Sequence, residues 1–151
     1  MKTHFAILIS FSFLCISCIS TKSTLKNVDD SAPYLIVNEQ NAFIIKERAT
    51  DEKYGYDKDY PINLFHLNTA NDSINQKRFF NALTGPNGEQ IFYEKVGICC
   101  PFPSKKSASG AALLDIYEVK WQGQKTPVTL YLNIYEKGFI QAPKGFGLKI
   151  F

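Results

Sequence analysis

The sequence predicts an α+β domain in which one helix, at about residues 72–84, packs on a largely antiparallel sheet. Three observations predict this class. Residues 127–135 alternate apolar and polar side chains, as a half-buried strand does. A second alternating run, residues 113–121, precedes them across a short turn, so the two should form an antiparallel hairpin. Residues 72–84 show helical periodicity. A small all-β barrel with a helical insertion is the alternative.

The first half of the domain should contribute short strands and a loop. Tyr34–Val37 and Ala42–Ile45 are β-prone runs on either side of the turn-forming segment Asn38–Asn41, which is typical of a hairpin. Thr50–Pro61 is polar, rich in tyrosine and turn-prone, and we interpret it as a loop. Ile62–Leu67 is a further candidate strand.

The predicted helix has signals at both ends. Ser73 and Gln76 have the spacing of a capping box, in which each side chain satisfies a free amide of the first turn. Gly85 and Pro86 end the helix, and Gly88 forms the turn that follows. The apolar face comprises Ile74, Phe79, Phe80 and Leu83.

The second half should be mostly β-structure. Gln90–Val96 is a candidate strand that precedes the hairpin formed by Leu113–Trp121 and Pro127–Tyr135. One face of the first hairpin strand carries Tyr117, Val119 and Trp121, and the other carries Glu118 and Lys120. Phe146–Phe151 is expected to close an edge of the sheet.

The start of the chain has the layout of a bacterial lipoprotein signal. A polar start with Lys2 precedes the apolar run Phe5–Ile16, and a small residue, Ser17, precedes Cys18. The apolar run is too short to span about 30 Å of hydrocarbon. Because Cys15 stands where a leucine is usual in the cleavage box, export without lipidation and an uncleaved anchor remain alternatives.

This signal predicts how the chain is divided and where it resides. The expected parts are a signal peptide over residues 1–17, a lipidated Cys18 that begins a flexible tether over 18–32, and a single globular domain over 33–151. Serine and isoleucine rather than aspartate follow Cys18, which favours the outer membrane. We therefore expect a lipid-anchored protein of the cell envelope, facing the periplasm or the cell surface.

Composition and motifs exclude several classes of function. The chain carries 17 basic and 14 acidic residues, and its lysines are scattered, so we expect no nucleic-acid partner. The sequence contains no phosphate-binding loop, nucleophile elbow or metalloprotease helix motif. We accordingly predict no catalytic residue, no metal and no cofactor.

The adjacent cysteines Cys99 and Cys100 are the sharpest candidate site of the domain. In an exported protein they can form a vicinal disulfide that stiffens a loop, with Pro101 restricting the backbone after it. They can also be two reduced thiols packed as small apolar groups, or a metal-binding or redox pair. A zinc site with His66 would need a further ligand, and the sequence does not bring these residues together.

The loop between the first strands is the second candidate site. Tyrosine faces beside carboxylates can bind a sugar or a cationic ligand. The candidate ligand-binding residues are Tyr54, Tyr56, Tyr60, Asp57 and Asp59. The spacing of the acidic residues is not that of a calcium-binding loop. The alternative is a solvated loop whose tyrosines lie on the domain.

Several segments together resemble a family of small bacterial lipoproteins with a Cys-Cys-Pro-Phe motif. The segments are Ala49–Tyr56, Lys77–Glu89, Cys99–Phe102, Leu130–Tyr135 and Ala142–Phe146, and the resemblance spans roughly residues 45–148. The family has no settled activity, so the resemblance implies a location rather than a reaction. Some members carry the label 2-dehydro-3-deoxyphosphooctonate aldolase, an activity of a (β/α)₈ barrel of about 250 residues.

Three functions remain open on the sequence. The first is a non-enzymatic envelope lipoprotein, anchored in the membrane, that binds an unknown envelope protein or small ligand or has a structural role. The second is thiol-dependent metal binding or redox chemistry at Cys99 and Cys100. The third is the aldolase activity of the family label, against which the length of the domain and its export both argue.

Overall fold

A four-stranded sheet forms the centre of the protein, as described by a computed structural model of residues 22–34, 36–65 and 73–151. The elements are β1 Ile62–Asn63, α1 Ile74–Asn81, β2 Leu83–Thr84, β3 Ile91–Pro103, β4 Ala111–Trp121, β5 Val128–Asn133 and β6 Gly147–Leu148. The sheet order is β1-β5-β4-β3, with β1 parallel to β5 and the other pairs antiparallel. The predicted α+β class, one helix on a largely antiparallel sheet, is confirmed over these residues.

The β4–β5 hairpin forms as its alternating pattern predicts. Val119 pairs with Val128 next to the turn, and Asp115 pairs with Leu132 at the other end. Tyr117 and Val119 are buried, whereas Lys120 on the opposite face is exposed. Period-two alternation therefore identifies the face of the sheet that is covered by the rest of the domain.

Helix α1 covers that face with aromatic side chains. Phe79 and Phe80 are almost fully buried, and the Phe80 ring stacks on Tyr93 of β3 with 4.1 Å between the ring centroids. The Phe80 ring also lies 5.1 Å from that of Tyr117. Aromatic contacts of this kind join the helix to the two long strands and centre the main core there.

The predicted capping box is wrong. Ser73 makes no side-chain cap hydrogen bond to the helix, although it stands at the N-cap position. Gln76 is buried against the sheet instead, where its Nε2 donates a hydrogen bond of 2.9 Å to Oδ2 of Asp115. The helix is also shorter than predicted, because Leu83 and Thr84 leave it to pair with β6.

A second, smaller core covers part of the opposite face of the sheet. Its buried members are Phe102, Ala112 and Leu114, and half-buried Leu25, Cys99, Cys100, Tyr131 and Tyr135 pack around them. Leu25 comes from the N-terminal segment, so this segment helps to close the second core. Both faces of the sheet are thus buried at this end.

Strand β3 is almost twice as long as the predicted strand Gln90–Val96. It continues to Pro103, and it changes register with β4 between Lys95 and Gly97 and again between Cys99 and Phe102. At these β-bulges, β3 accommodates Gly97 and the cysteine pair while it stays paired with β4.

The two ends of the domain also differ from the predictions. Phe146–Phe151 does not close an edge of the main sheet, because its residues Gly147 and Leu148 pair with β2 in a separate two-stranded sheet. The first predicted hairpin is reduced to one bridge between Val37 and Phe43. The last residues of the predicted strand Ile62–Leu67 lie outside the described part of the chain.

The N-terminal segment, residues 22–32, lies on the domain and differs from the flexible tether expected there. The amide of Lys26 donates to the carbonyl of Asp59, and that of Asp29 donates to the carbonyl of Lys137, both at 2.8 Å. Ala32 is buried. The expected signal peptide and Cys18 lie outside the described residues. No helix in the described ranges is long and apolar enough to cross a membrane.

Candidate functional site

An apolar surface cleft of about 280 Å³ is the strongest candidate site. Its lining comprises Pro33, Tyr34, Ile36, Ile44, Lys46, Glu47, Phe139 and Ile140. Large apolar side chains are left open to solvent here: Ile36 is 70% exposed and Phe139 57%. Soluble domains seldom leave several such side chains together on the surface unless the surface binds something.

Local β-structure places the two isoleucines side by side. Val37 and Phe43 form an antiparallel bridge, and the amide of Ile44 donates to the carbonyl of Ile36 at 2.9 Å. Because side chains alternate along a strand, burial of Phe43 in the core turns the flanking Ile44 outward. The amide of Phe43 also donates to the carbonyl of Arg78, which ties this segment to α1.

Charged groups surround the apolar centre of the cleft. Lys46 and Glu47 line it, and the Nε2 of Gln141 donates to the Glu47 carboxylate at 3.1 Å. The ammonium of Lys137 lies 4.2 Å from the centre of the Tyr34 ring, a cation–π contact. An apolar centre with a charged rim is the arrangement found in protein–protein interfaces.

The predicted tyrosine site does not form as one surface. Tyr54 is 6% exposed; its hydroxyl donates to the carbonyl of Phe139 and accepts from the amide of Gln141. The Tyr56 hydroxyl donates to the carbonyl of Lys144. Burial raises the pKa of Tyr54 and raises that of Tyr56 to about 12. Both phenols therefore hold the loop on the domain.

Of the other predicted ligand-binding residues, only Tyr60 shares a depression with one of these phenols. Tyr60 and Tyr54 both line a second depression of about 310 Å³, and the Tyr60 ring lies under the ammonium of Lys53. The Asp57 carboxylate accepts a hydrogen bond from the amide of Asp59, which shapes the turn. The Asp59 carboxylate pairs with Lys58, whose hydrogen bond keeps the pKa of Asp59 below its usual value. The structure thus brings Tyr54 and Tyr60 to one depression, and Tyr56, Asp57 and Asp59 do not line it.

Cys99 and Cys100 form a vicinal disulfide. Both are half-buried in the second core, and Cys99 pairs with buried Leu114 across the strands. The backbone of Cys100 has φ +59°, the left-handed region that residues other than glycine seldom adopt. Within the described residues, no three metal-ligating side chains come together, and His66 lies outside them.

The cleft was not predicted from the sequence, although some of its lining residues lie in a predicted element. Ile36 and Ile44 belong to the predicted hairpin, but two short apolar runs do not show which side chains face outward. Phe139 follows β5 in an irregular segment, where periodicity carries no information. Its proximity to the hairpin depends on contacts between residues far apart in the chain, such as the hydrogen bond from the amide of Ala142 to the carbonyl of Glu47.

Comparisons with protein-family models, with curated proteins and with solved structures found no match. The described fold is also not the (β/α)₈ barrel in which the labelled aldolase activity occurs, because the described part of the chain has one helix and a short mixed sheet. The function must therefore be argued from the surface of the domain itself.

Proposed function

We propose that this chain is a membrane-anchored lipoprotein of the cell envelope whose domain is a non-enzymatic binding module for a partner protein. The apolar cleft carries the proposal, because it combines exposed Ile36, Ile44 and Phe139 with a charged rim. Burying these side chains against a partner would remove apolar surface from water, at about 25 cal/mol for each Å².

The cleft has a rigid base, which favours binding over incidental exposure. Tyr54 is fixed by two hydrogen bonds directly behind Phe139, and the Val37–Phe43 bridge holds the isoleucines. A surface that is ordered before binding loses less conformational entropy when the partner docks. The occupant that fits best is an apolar side chain or short apolar segment of another envelope protein.

Photocrosslinking in cells tests the proposal. A benzoyl-phenylalanine at Phe139 should give a discrete adduct with one envelope protein, and the same probe at Phe92 should not. Phe92 is a matched control because it is 55% exposed but lies on β3, outside the cleft. Ile36→Asp should abolish the adduct. Equal adducts from both positions, or none from position 139, would contradict the proposal.

A second candidate function is redox chemistry at the Cys99–Cys100 disulfide, whose two residues are each only half-buried. A thiolate that attacks one sulfur would form a mixed disulfide and release the other sulfur as a thiolate. Metal binding by this pair is not available to the oxidised form, because both sulfurs are bonded to each other.

Thiol alkylation with mass measurement tests this second function. Protein from the oxidising compartment should gain two alkyl groups at these cysteines only after reductant is added. Titration against glutathione buffers should then show reversible reduction of the folded domain. If the disulfide is reduced only after the domain unfolds, its role is purely structural. The double variant Cys99→Ser/Cys100→Ser is the control, because it cannot be labelled at these positions.

A further inference from the structure

The way the chain leaves the domain limits how far the domain can stand from a membrane. This inference rests on lipidation of Cys18, part of the proposed function. Lys22 is the first described residue, and four residue steps separate it from Cys18. A fully extended chain covers at most about 3.6 Å per residue, so Lys22 stands within about 14 Å of the lipidated residue.

Hydrogen bonds fix the N-terminal segment on the domain from Lys26 onward. Asn27 donates from Nδ2 to the carbonyl of Pro61 at 2.7 Å, and Asn63 donates from Nδ2 to the carbonyl of Asn27 at 2.9 Å. Asn133 in turn donates to Oδ1 of Asn63 at 2.8 Å. Because Asn63 and Asn133 are buried, this chain of asparagines joins the N-terminal segment to β1 and β5.

The surface around the exit point is basic. A depression of about 790 Å³ there is lined by four lysines and two carboxylates, a formal excess of two positive charges. The lysines are Lys22, Lys26, Lys105 and Lys106, and the carboxylates are Asp30 and Glu136. Lys105 and Lys106 come from the loop between β3 and β4, which meets the N-terminal segment at this point.

Lys106 holds the two parts of this surface together. Its ammonium lies 2.7 Å from the Asp30 carboxylate and 3.3 Å from that of Glu136. Partial burial alone would lower the pKa of Lys106, but the hydrogen bond to Asp30 and the charge of Glu136 outweigh it and raise the pKa. Lys22, Lys26 and Lys105 extend into solvent around this pair of contacts.

We propose that this basic surface is the membrane-facing side of the protein and docks on anionic lipid headgroups. The limit of about 14 Å holds for a fully extended tether, and a tether at about half that extension brings Lys22 within the Debye length of about 8 Å at physiological salt, where it interacts with the headgroup charge. Polybasic segments beside a membrane anchor bind anionic lipid in the same way. Lipid anchor and lysines together would give the domain one orientation.

This orientation places the turn between β4 and β5 far from the membrane, so a lysine in that turn serves as a control. The β3–β4 loop lies at one end of β4, and the turn between β4 and β5 lies at the other. A strand rises about 3.4 Å per residue, so the eleven residues of β4 hold these ends more than about 30 Å apart. Lys125 in the distal turn is exposed and should not sense the membrane.

Lysine acetylation of the full lipidated protein in vesicles tests the inference. Peptide masses first establish whether Cys18 is acylated. In phosphatidylglycerol vesicles, Lys22 and Lys105 should react about fivefold more slowly than in phosphatidylcholine vesicles, the factor expected for one lysine at an anionic surface. Lys125 should react equally in both. High salt should remove the difference, because it screens exposed charges.

The outcomes separate this inference from the function on which it rests. Lys26→Glu should restore the labelling of Lys105 in phosphatidylglycerol, and Lys125→Glu should not. An acylated protein whose Lys22 and Lys105 react as fast as Lys125 in both lipids would overturn the membrane-facing surface and leave the anchored binding module standing. Lys22 and Lys105 that react more slowly than Lys125, by the same factor in both lipids, would overturn recognition of anionic headgroups. An unmodified Cys18 would overturn the anchor, and the inference with it.

Discussion

At the scale of single residues, Tyr54 shows how an aromatic side chain that looks like a ligand contact can be a support. Its ring is buried, and its hydroxyl bridges the carbonyl of Phe139 and the amide of Gln141. Each contact satisfies a backbone group of the segment that lines the apolar cleft. The phenol thus positions Phe139 from behind, and does not present itself to solvent.

Tyr54→Phe should lower the free energy of unfolding by about 1–3 kcal/mol, because the half-buried amide of Gln141 loses its acceptor. Tyr60→Phe is the matched control; its side chain is half-exposed, and the change should stay within about 0.5 kcal/mol. Urea denaturation followed by circular dichroism measures both. A larger loss for Tyr60→Phe than for Tyr54→Phe would reverse the roles assigned to these phenols.

The sequence could identify some of these residues but not what they do. The pair Cys99–Cys100 is visible as adjacent letters, and a vicinal disulfide was one of its open interpretations. The tyrosines were identified as a group, yet burial separates Tyr54 from Tyr60. Burial depends on residues far away in the chain, so composition of a loop cannot provide it.

At the scale of elements, β3 combines a long edge with features that discourage further pairing. Among the described residues it pairs only with β4, so its other side is an edge of the main sheet. Two bulges interrupt its register, and Pro101 cannot donate a backbone hydrogen bond. Edge strands with bulges and prolines resist pairing with a second chain. The disulfide lies within the second of these irregular stretches.

Docking of the N-terminal segment depends on a close approach at Gly138. A Cβ atom there would lie 2.7 Å from the carbonyl oxygen of Asn27 and 2.8 Å from Nδ2 of Asn63. Gly138→Ala should therefore loosen the segment and lower the free energy of unfolding by about 1–3 kcal/mol. Hydrogen exchange should show faster exchange of the Lys26 and Asp29 amides, which are bonded to the domain.

Gly97→Ala provides the control for this change. The nearest atom to a Cβ at Gly97 is Cδ1 of Ile116, at an ordinary 3.9 Å. Alanine should leave stability unchanged or slightly higher, because it restricts the unfolded chain. If both alanine variants behaved alike, the contact between Gly138 and the N-terminal segment would not be what holds the segment in place.

At the scale of the whole molecule, buried tyrosines should make the protein sensitive to alkali. Burial raises the pKa of Tyr56 and of Tyr117 to about 12 from 10.0, and burial also raises that of Tyr54. The charge of Asp115 adds to the effect on Tyr117. Below pH 10 the tyrosines are protonated in both the folded and the unfolded chain. The stabilisation of the folded state by these buried phenols is therefore fully present there.

Between pH 10 and about 12 the unfolded chain releases phenolic protons that the folded chain keeps, so the free energy of unfolding should fall as pH rises. Urea midpoints measured from neutral pH upward should be level and then decline in this window. Absorbance of tyrosinate near 295 nm should rise in step with unfolding. A midpoint that stays constant up to about pH 12 would contradict the raised pKa values.

The fold class followed from local patterns, whereas the arrangement of the elements did not. The alternation in Val128–Asn133 and the aromatic face of α1 are encoded within single windows of sequence. The parallel pairing of β1 with β5 and the separate β2–β6 sheet join residues more than 60 positions apart. Two-residue strands such as β1 and β6 carry no periodicity, so no pattern could have located them.

The asparagine links have a consequence for the order in which the protein can mature. A ribosome makes the N-terminal segment first, but the Lys137 ammonium that donates to the Asp30 carbonyl comes 107 residues later. Asn133, the far end of the asparagine chain, is also made late. The N-terminal segment therefore cannot dock on the domain until Asn133 and Lys137 have been made. Until synthesis ends, the backbone of residues 26–32 has no partner to dock on, and completion of the fold then fixes it on the domain.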